Sequence, residues 1–190
     1  MFKKHPQQSV SLSDATLIER GGRRDCYRHP QNPDWCIKVS QSQFKKDKQA
    51  IREIKYYSLY KRLGIPHTHL AKFHGVIKTP KGPGLLFDLV TDDDGNVSKT
   101  LAHYLKKLPL KDFDVLLNEL HDYLLNHTIY LSDLAADNIV VSVKNQKKKL
   151  VIVDGAVNSD MIKICDYSEY LRRKKIQRKW SRFVDSINIA

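Results

Sequence analysis

The sequence contains no long apolar run, and this absence argues against a membrane-spanning helix. No stretch of the chain approaches the ~18 consecutive apolar residues that such a helix requires. The first residues, Met1 to Pro6, also lack the apolar core of a signal peptide. We therefore expect a cytoplasmic protein with no transmembrane segment.

Cysteine and glycine are both scarce, and their spacing excludes two common kinds of site. The 3 cysteines, Cys26, Cys36 and Cys165, form no Cys-x-x-Cys pair. Their odd number indicates free thiols in a reducing compartment. The 8 glycines form no Gly-x4-Gly-Lys motif, so the chain is not a P-loop enzyme.

Positive charge, by contrast, is abundant. The formal net charge is +12 at pH 7, with basic runs at 45–48, 144–149 and 172–182. Such an excess attracts polyanions, including nucleotides, nucleic acid and anionic lipid surfaces, but it does not choose among them. With 190 residues, of which 41% are hydrophobic, the chain is long enough for a real core and one or two compact units.

Residues 15–91 predict an antiparallel sheet of five strands with one helix. Short apolar runs indicate strands, and the segment Pro80 to Gly84 indicates a turn. The strands that the pattern locates are Thr16–Glu19, Trp35–Val39, Phe73–Lys78 and Leu85–Val90. The helix is predicted over 45–63, from apolar residues at Ala50, Ile51, Ile54 and Tyr57 and a stop at Gly64.

Residues 92–190 predict mainly helix. An apolar stripe from Phe113 to Leu124 extends over three turns and indicates a long helix. Ser98 is expected to cap a short helix that ends at Lys107. The last helix is predicted at about 168–187, where Asp166 and Glu169 resemble a capping box.

These patterns divide the chain into three parts. Residues 1–14 carry little pattern and are expected to form a flexible tail. Residues 15–91 form the first lobe, and residues 92–190 form a helical lobe with a hairpin. The acidic stretch Val90 to Asn96 is the expected hinge between the lobes.

A candidate site lies in the stretch from Asp133 to Asp154. Asp133 and Asn138 stand five positions apart in a loop that leads into the apolar run 139–141, and a second apolar run ends at Asp154. Two paired strands would gather these three side chains at one edge of a small hairpin. Kinase-like phosphotransferases place an aspartate on a hydroxyl and hold Mg²⁺ with an asparagine and an aspartate. Each residue alone is equally typical of turns and caps.

Lys38 is the second unusual feature, because it interrupts the apolar strand Cys36 to Val39. A lysine there either extends outwards from an edge strand or finds a charged partner. The functional alternative is a lysine that grips phosphate and pairs with a glutamate on the following helix, for which Glu53 is the candidate. The functional interpretation is favoured by the order of these residues along the chain. A lysine on a strand comes first, then a glutamate on a helix, an aspartate and an asparagine in a loop, and a final aspartate.

This order resembles that of the protein-kinase-like fold, and the chain more closely resembles the bacterial YrbL-type family, known for the PhoP regulatory network. The resemblance covers about residues 15 to 185. It implies an α+β, two-lobed protein-kinase-like fold with a truncated C-terminal lobe, since only 36 of the 190 residues follow Asp154. The segments that carry it are Arg23–Pro30, Cys36–Val39, Glu53–Tyr57, Gly84–Phe87, the Asp133 loop, Val153–Gly155 and Arg172–Trp180.

The resemblance also implies roles for individual residues, with ATP and Mg²⁺ as cofactors. Asp133 would be the catalytic base, and Asn138 and Asp154 would hold Mg²⁺. Lys38 would contact the phosphates of ATP, and Glu53 would hold Lys38. The remaining nucleotide contacts would come from Gly21 and Gly22 over the phosphates and from the backbone of Leu89, Val90 and Thr91 at the adenine.

The chain departs from the kinase pattern in three places. Gly21 and Gly22 are adjacent, where a full glycine-rich loop has three spaced glycines. Leu131 and Ser132 stand where kinases carry His-Arg, and the segment 154–156 lacks the aromatic residue of Asp-Phe-Gly. The 36 residues after Asp154 are also too few for a full activation segment and the helices that dock a peptide, so a conventional kinase for protein substrates is not expected.

Three functions stay open at this point. The first is a small kinase-like protein that binds ATP–Mg²⁺ and transfers phosphate to an unidentified acceptor. The second is a pseudokinase that acts through a protein partner. The third is a module that binds nucleic acid or an acidic partner through the last helix, although a solvated outer face is the favoured interpretation of its charges. The basic residues expected off the apolar face of that helix are Arg172, Arg173, Lys175, Arg178, Lys179 and Arg182.

Overall fold

The computed structural model describes residues 9–13, 15–41, 47–160 and 167–188. Most of the predicted tail, Cys165 and Asp166 lie outside the described residues. The chain divides into two compact units. The first comprises Met1–Lys55 and Lys72–Leu89, and the second comprises Tyr56–Ala71 and Val90–Ala190.

The first unit contains the predicted five-stranded antiparallel sheet, and this part of the fold prediction is confirmed. The spatial order of the strands is β1-β2-β3-β5-β4. Their bounds are β1 Leu17–Arg20, β2 Arg24–Arg28, β3 Trp35–Ser40, β4 Phe73–Thr79 and β5 Gly82–Asp88. The sequence pattern did not locate β2, because a charged residue, Asp25, occupies one of its buried positions. The carboxylate of Asp25 accepts hydrogen bonds from Tyr27 and Gln41.

Alternation along the strands gives this sheet one apolar core face. Tyr27, Ile37, Val39 and Leu86 are buried together with Ile77. Val10, inside the predicted tail, is buried in the same cluster, and its N–H donates to the carbonyl of Lys78. Because successive side chains of a strand point to opposite faces, the neighbours of Ile37 and Val39 lie on the other side of the sheet.

The turn before β5 is shorter than predicted. Only Pro80 and Lys81 form it, and Gly82 already pairs with Thr79. Gly84 pairs with Val39, and a Cβ there would lie 2.5 Å from Cγ2 of Ile37. Gly84, which resembles a turn residue in the sequence, therefore allows close packing inside the sheet.

The first helix, α1, runs over Lys48–Arg62, within the predicted range. Asp47 caps it by accepting hydrogen bonds from the backbone N–H groups of Gln49 and Ala50. The predicted apolar stripe is partly wrong, because Ile51 is 48% exposed. The residues that α1 buries are Ala50, Glu53, Tyr56, Tyr57 and Tyr60.

The second unit contains the predicted helices and hairpin. Its elements are α2 Leu101–Leu105, α3 Asp114–Asn126, β6 Ile139–Lys144, β7 Lys147–Ile152 and α4 Glu169–Asn188. The predicted stripe of α3 is confirmed at Leu117, Leu120 and Leu124, which are buried. The mixed α+β composition is therefore confirmed. Within the described part of the chain, no helix is both long and apolar enough to cross a membrane.

One predicted helix cap is replaced by another, and a second lies partly outside the described residues. Thr100 caps α2 through a hydrogen bond from the N–H of His103, while the hydroxyl of Ser98 donates to Asp92. Ser168 caps α4 by accepting from the N–H of Leu171. The predicted capping box cannot be compared, because Asp166 lies outside the described residues.

The acidic stretch that the sequence predicts as a hinge is bound to the hairpin of its own unit. The carboxylate of Asp92 accepts from the N–H of Val143, and that of Asp93 accepts from the N–H of Asn145. Asn145 has a positive φ of 50° in the turn between β6 and β7. Asp92 and Asp93 thus act as acceptors for the end of this hairpin, whereas the carboxylate of Asp94 accepts from Asn96.

Candidate active site

The β6–β7 hairpin holds the two ends of the candidate site together. Asn138 directly precedes β6, and Asp154 follows β7 after one residue. Ile139 pairs with Ile152, and the N–H of Val153 donates to the carbonyl of Asn138 at 2.9 Å. The antiparallel pairing therefore places Asn138 and Asp154 at the same end of the hairpin.

Gly155 attaches the loop of Asp133 to this end. Its carbonyl accepts hydrogen bonds from the N–H and the hydroxyl of Ser132, at 2.9 and 3.1 Å. A Cβ on Gly155 would lie 2.1 Å from the carbonyl oxygen of Asp133, and its φ is +84°. Only glycine tolerates this combination of contact and backbone conformation. The structure thus brings together Asp133, Asn138 and Asp154.

The side chains of this cluster have the chemistry that Mg²⁺ and a hydroxyl require. Asn138 Nδ2 donates to Asp133 Oδ2 at 3.4 Å, which directs the amide oxygen of Asn138 away from Asp133. Oδ1 of Asp154 accepts from the N–H of Gly155 at 2.6 Å. Carboxylate and amide oxygens are the ligands that Mg²⁺ prefers. The donor set therefore fits Mg²⁺, and the Asp133 carboxylate is exposed to an incoming group.

Lys179 of α4 is a neighbour of this cluster that sequence reasoning assigned to the outer surface. Its Nζ donates to the carbonyl of Ser132 at 2.7 Å. Burial lowers the pKa of Lys179, the charges of Lys175 and Arg182 lower it further, and that of Asp133 raises it. Lys179 follows Ile176 by three residues and precedes Phe183 by four, so helical spacing alone places it on the same face of α4 as these two residues.

Three basic residues of α4 bind inside the second unit, so the predicted all-outward basic face is wrong. Lys175 is buried and donates to Asn158 and Asp160, at 2.9 and 2.7 Å. Arg172 donates to Thr128 and lies over the ring of Tyr130. With Lys179, these residues bind hydroxyl, carbonyl and carboxylate groups that the apolar pattern of α4 does not reveal.

In the first unit, Lys38 lies on the central strand β3, so the edge-strand alternative is excluded. It pairs with Cys26 of β2 and Leu85 of β5. Its Nζ lies 4.8 Å from the centre of the Phe87 ring, and the residue is half-buried. Lys38 is therefore held on the sheet face opposite the apolar core cluster.

Glu53 has a partner that the sequence did not indicate. Arg24 Nη1 and Nη2 donate to its two carboxylate oxygens, at 2.8 and 2.7 Å. The two side chains are 8% and 2% exposed, so this bidentate pair is almost fully buried. The pairing of Glu53 with Lys38 stays a prediction. Arg24 escapes sequence reasoning because it stands 29 positions from Glu53.

Three of the predicted nucleotide contacts lie in the first unit, at Gly21 and Gly22 between β1 and β2 and at Leu89 directly after β5. Gly21 donates to the carbonyl of Arg24 at 3.0 Å, and a Cβ on it would lie 2.7 Å from that oxygen. Gly22 is exposed, with no atom within 4 Å of a Cβ. The N–H of Leu89 already donates to Asp34, so this group is not available to adenine.

The other two predicted adenine contacts lie in the second unit. The carbonyl of Val90 accepts from the N–H of Ser98 at 3.0 Å. Thr91 forms a bridge with Val97, and its hydroxyl accepts from Lys144. An adenine contact in this stretch would therefore use backbone groups other than the Val90 carbonyl.

Comparison with known proteins agrees with the resemblance found in the motifs. The family described as "PhoP regulatory network protein YrbL" matches residues 10–188, and the chain belongs to this family. Two relatives from Escherichia coli (strain K12) and Shigella flexneri are both named "Uncharacterized protein YrbL". Each is 28% identical over 182 residues, which cover 92% of this chain and 86% of the relative.

Proposed function

We propose that the protein has a kinase-like fold, binds ATP with Mg²⁺, and transfers a phosphoryl group to a hydroxyl acceptor. The observation that carries this proposal is the cluster of Asp133, Asn138 and Asp154 at one end of a hairpin. The second support is Lys38, a half-buried cation on the central strand of the other unit.

Each residue has a separate task in this proposal. Asn138 and Asp154 hold the metal ion, which neutralises charge on the phosphates. Lys38 contacts the phosphates, and Asp133 accepts the proton of the acceptor hydroxyl while orienting its oxygen. The Arg24–Glu53 pair is buried and carries no net charge, because the guanidinium of Arg24 neutralises the carboxylate of Glu53.

Calorimetry of ATP binding, with Mg²⁺ and with EDTA, tests the metal site. We expect binding that depends on Mg²⁺ and weakens at least about tenfold in Asp154→Asn, because one carboxylate ligand is lost. Asp137→Asn is the matched control, since Asp137 is exposed in the same loop and has no role in the cluster. Equal affinity in EDTA and in Mg²⁺ would contradict the proposal.

A pseudokinase is the second candidate, and the Arg24–Glu53 pair favours it. Both carboxylate oxygens of Glu53 accept from Arg24, whereas the resemblance assigns this glutamate to Lys38. ADP production separates the two candidates. If the protein is a phosphotransferase, the turnover of Asp133→Asn is expected to be about 10²–10⁴-fold lower than that of the parent protein, while its ATP affinity is unchanged. Mg²⁺-dependent ATP binding without ADP production would support the pseudokinase.

A further inference from the structure

A cavity of about 590 Å³ opens beside Asp133 within the second unit. Its volume lies in the range of about 300–1,000 Å³ that is common for small-molecule sites. It lies between α2, the loop that follows Asp133, and α4. Its apolar wall includes Leu105, Leu134, Phe183 and Ile187, which suits a hydrocarbon or ring portion of a ligand.

The charged groups of this cavity are unbalanced. Lys106, Lys179 and Arg182 line it, and Asp133 is the carboxylate among its lining residues. Among the residues that the structure describes, the side chains of Lys106 and Arg182 have no hydrogen-bond or ion-pair partner. The cavity therefore has an excess of positive charge over an apolar wall, which favours an anionic ligand.

A purely structural role explains only part of this arrangement. Lys179 donates to the carbonyl of Ser132 and so helps to position the loop. Arg182 lies one residue before the buried Phe183 and is itself exposed. Its charge also acts on Lys179, where it lowers the pKa in the same direction as burial. An anion between Arg182 and Lys179 would relieve this repulsion.

We infer that this cavity binds the phosphate acceptor, and that the acceptor is a small anionic alcohol with an apolar portion. This inference rests on the proposed function. The anionic group lies at Arg182 and Lys179, the apolar portion lies along Phe183, and the hydroxyl reaches Asp133. In the transfer, the hydroxyl oxygen bonds to the γ-phosphorus, the bond from that phosphorus to the β-γ bridging oxygen breaks, and ADP leaves. The hydroxyl proton goes to the Asp133 carboxylate.

Binding of three probes, measured by NMR chemical-shift titration without ATP or Mg²⁺, tests the cavity. Phenyl phosphate and phenylacetate carry both an anion and a ring, whereas phenyl β-glucoside carries the ring without the charge. We expect at least one anionic probe to shift the resonances of Ala135, Ala136 and Ser186, which line the cavity. The glucoside is expected to bind there with an affinity at least about tenfold lower. The two anions show whether phosphate or carboxylate is preferred.

Arg182→Gln is the decisive variant, and Arg178→Gln is its matched control. Both remove one exposed positive charge from α4, but Arg178 does not line the cavity. We expect binding of the anionic probe to weaken about tenfold in Arg182→Gln, since a charged hydrogen bond is lost, and to change less than about twofold in Arg178→Gln. Ser186→Trp keeps every charge and fills the cavity, so it is expected to abolish binding.

The outcomes separate this inference from the proposed function. Equal effects of the two arginine variants, or binding of the glucoside as tight as that of the anions, would overturn the acceptor site. Mg²⁺-dependent ATP binding with no probe bound at the cavity would also overturn it while leaving the proposed function intact. Probe binding that depends on Arg182, in a protein that does not bind ATP, would retain an anion site and refute phosphotransfer.

Discussion

The predicted site residues of the two units are held in different ways. In the second unit, Asp133, Asn138 and Asp154 lie within 22 positions and are joined by backbone hydrogen bonds along one hairpin. In the first unit, the partner of Glu53 is Arg24, on a strand that the sequence pattern did not locate. Local pairing therefore determines the first arrangement, and a contact between α1 and β2 determines the second.

Gly155→Ala is expected to have the largest effect, because it disrupts the contact between the hairpin and the Asp133 loop in the second unit. The new Cβ would meet the carbonyl of Asp133, and alanine is strained at a φ of +84°. We expect a loss of about 4 kcal/mol in the free energy of unfolding, measured in urea. Gly95→Ala is the control, because its φ of +78° carries the same strain with open space around it. Equal losses in both variants would refute a role for the Asp133 contact.

Glu53→Gln tests the Arg24–Glu53 pair of the first unit and is expected to cost somewhat less. It leaves the buried Arg24 guanidinium without a negative partner, which typically costs about 3 kcal/mol of unfolding free energy. Glu19→Gln is the control, since Glu19 is exposed on β1. A double-mutant cycle with Arg24→Met should show strong coupling. If Glu53 couples more strongly to Lys38 than to Arg24 in the same assay, the predicted kinase-like pair is restored.

Lys175→Met is expected to have the smallest effect of the three. Lys175 is buried and donates to Asn158 and Asp160, but Asp160 is 38% exposed and remains solvated when its partner is lost. We expect a loss of about 1–2 kcal/mol in urea unfolding. Lys174→Met, which removes an exposed charge from the same helix, should stay within about 0.5 kcal/mol of the parent protein. Equal unfolding free energies of the two variants would indicate that Lys175 lies on the solvated face of the helix.

Several features of the fold were predictable because they depend on local spacing. The apolar residues Leu117, Leu120 and Leu124 recur at helical intervals, and the helix follows from that alone. The runs that form β6 and β7 are separated by a short polar segment, so antiparallel pairing is the simplest outcome. The same reasoning places Asn138 beside Asp154.

Other features were not predictable, because distant groups compete for the same polar partners. Ser98 has the residue type of a helix cap, yet it binds Asp92, and Thr100 caps α2 instead. Lys175 has the residue type of a surface position, yet it is buried against Asn158 and Asp160. A buried polar group must be hydrogen-bonded, and the available partner depends on which segments meet after folding.

The sequence by itself determined the family, the mixed α+β composition, and the hairpin that gathers Asp133, Asn138 and Asp154, because each follows from residues near one another in the chain. Only the tertiary structure decided that Arg24 neutralises Glu53 and that α4 closes a basic cavity beside Asp133. The physical reason is that the partner of a buried charge and the walls of a cavity both come from segments that lie far apart in the chain. Packing brings these segments together only when the chain folds.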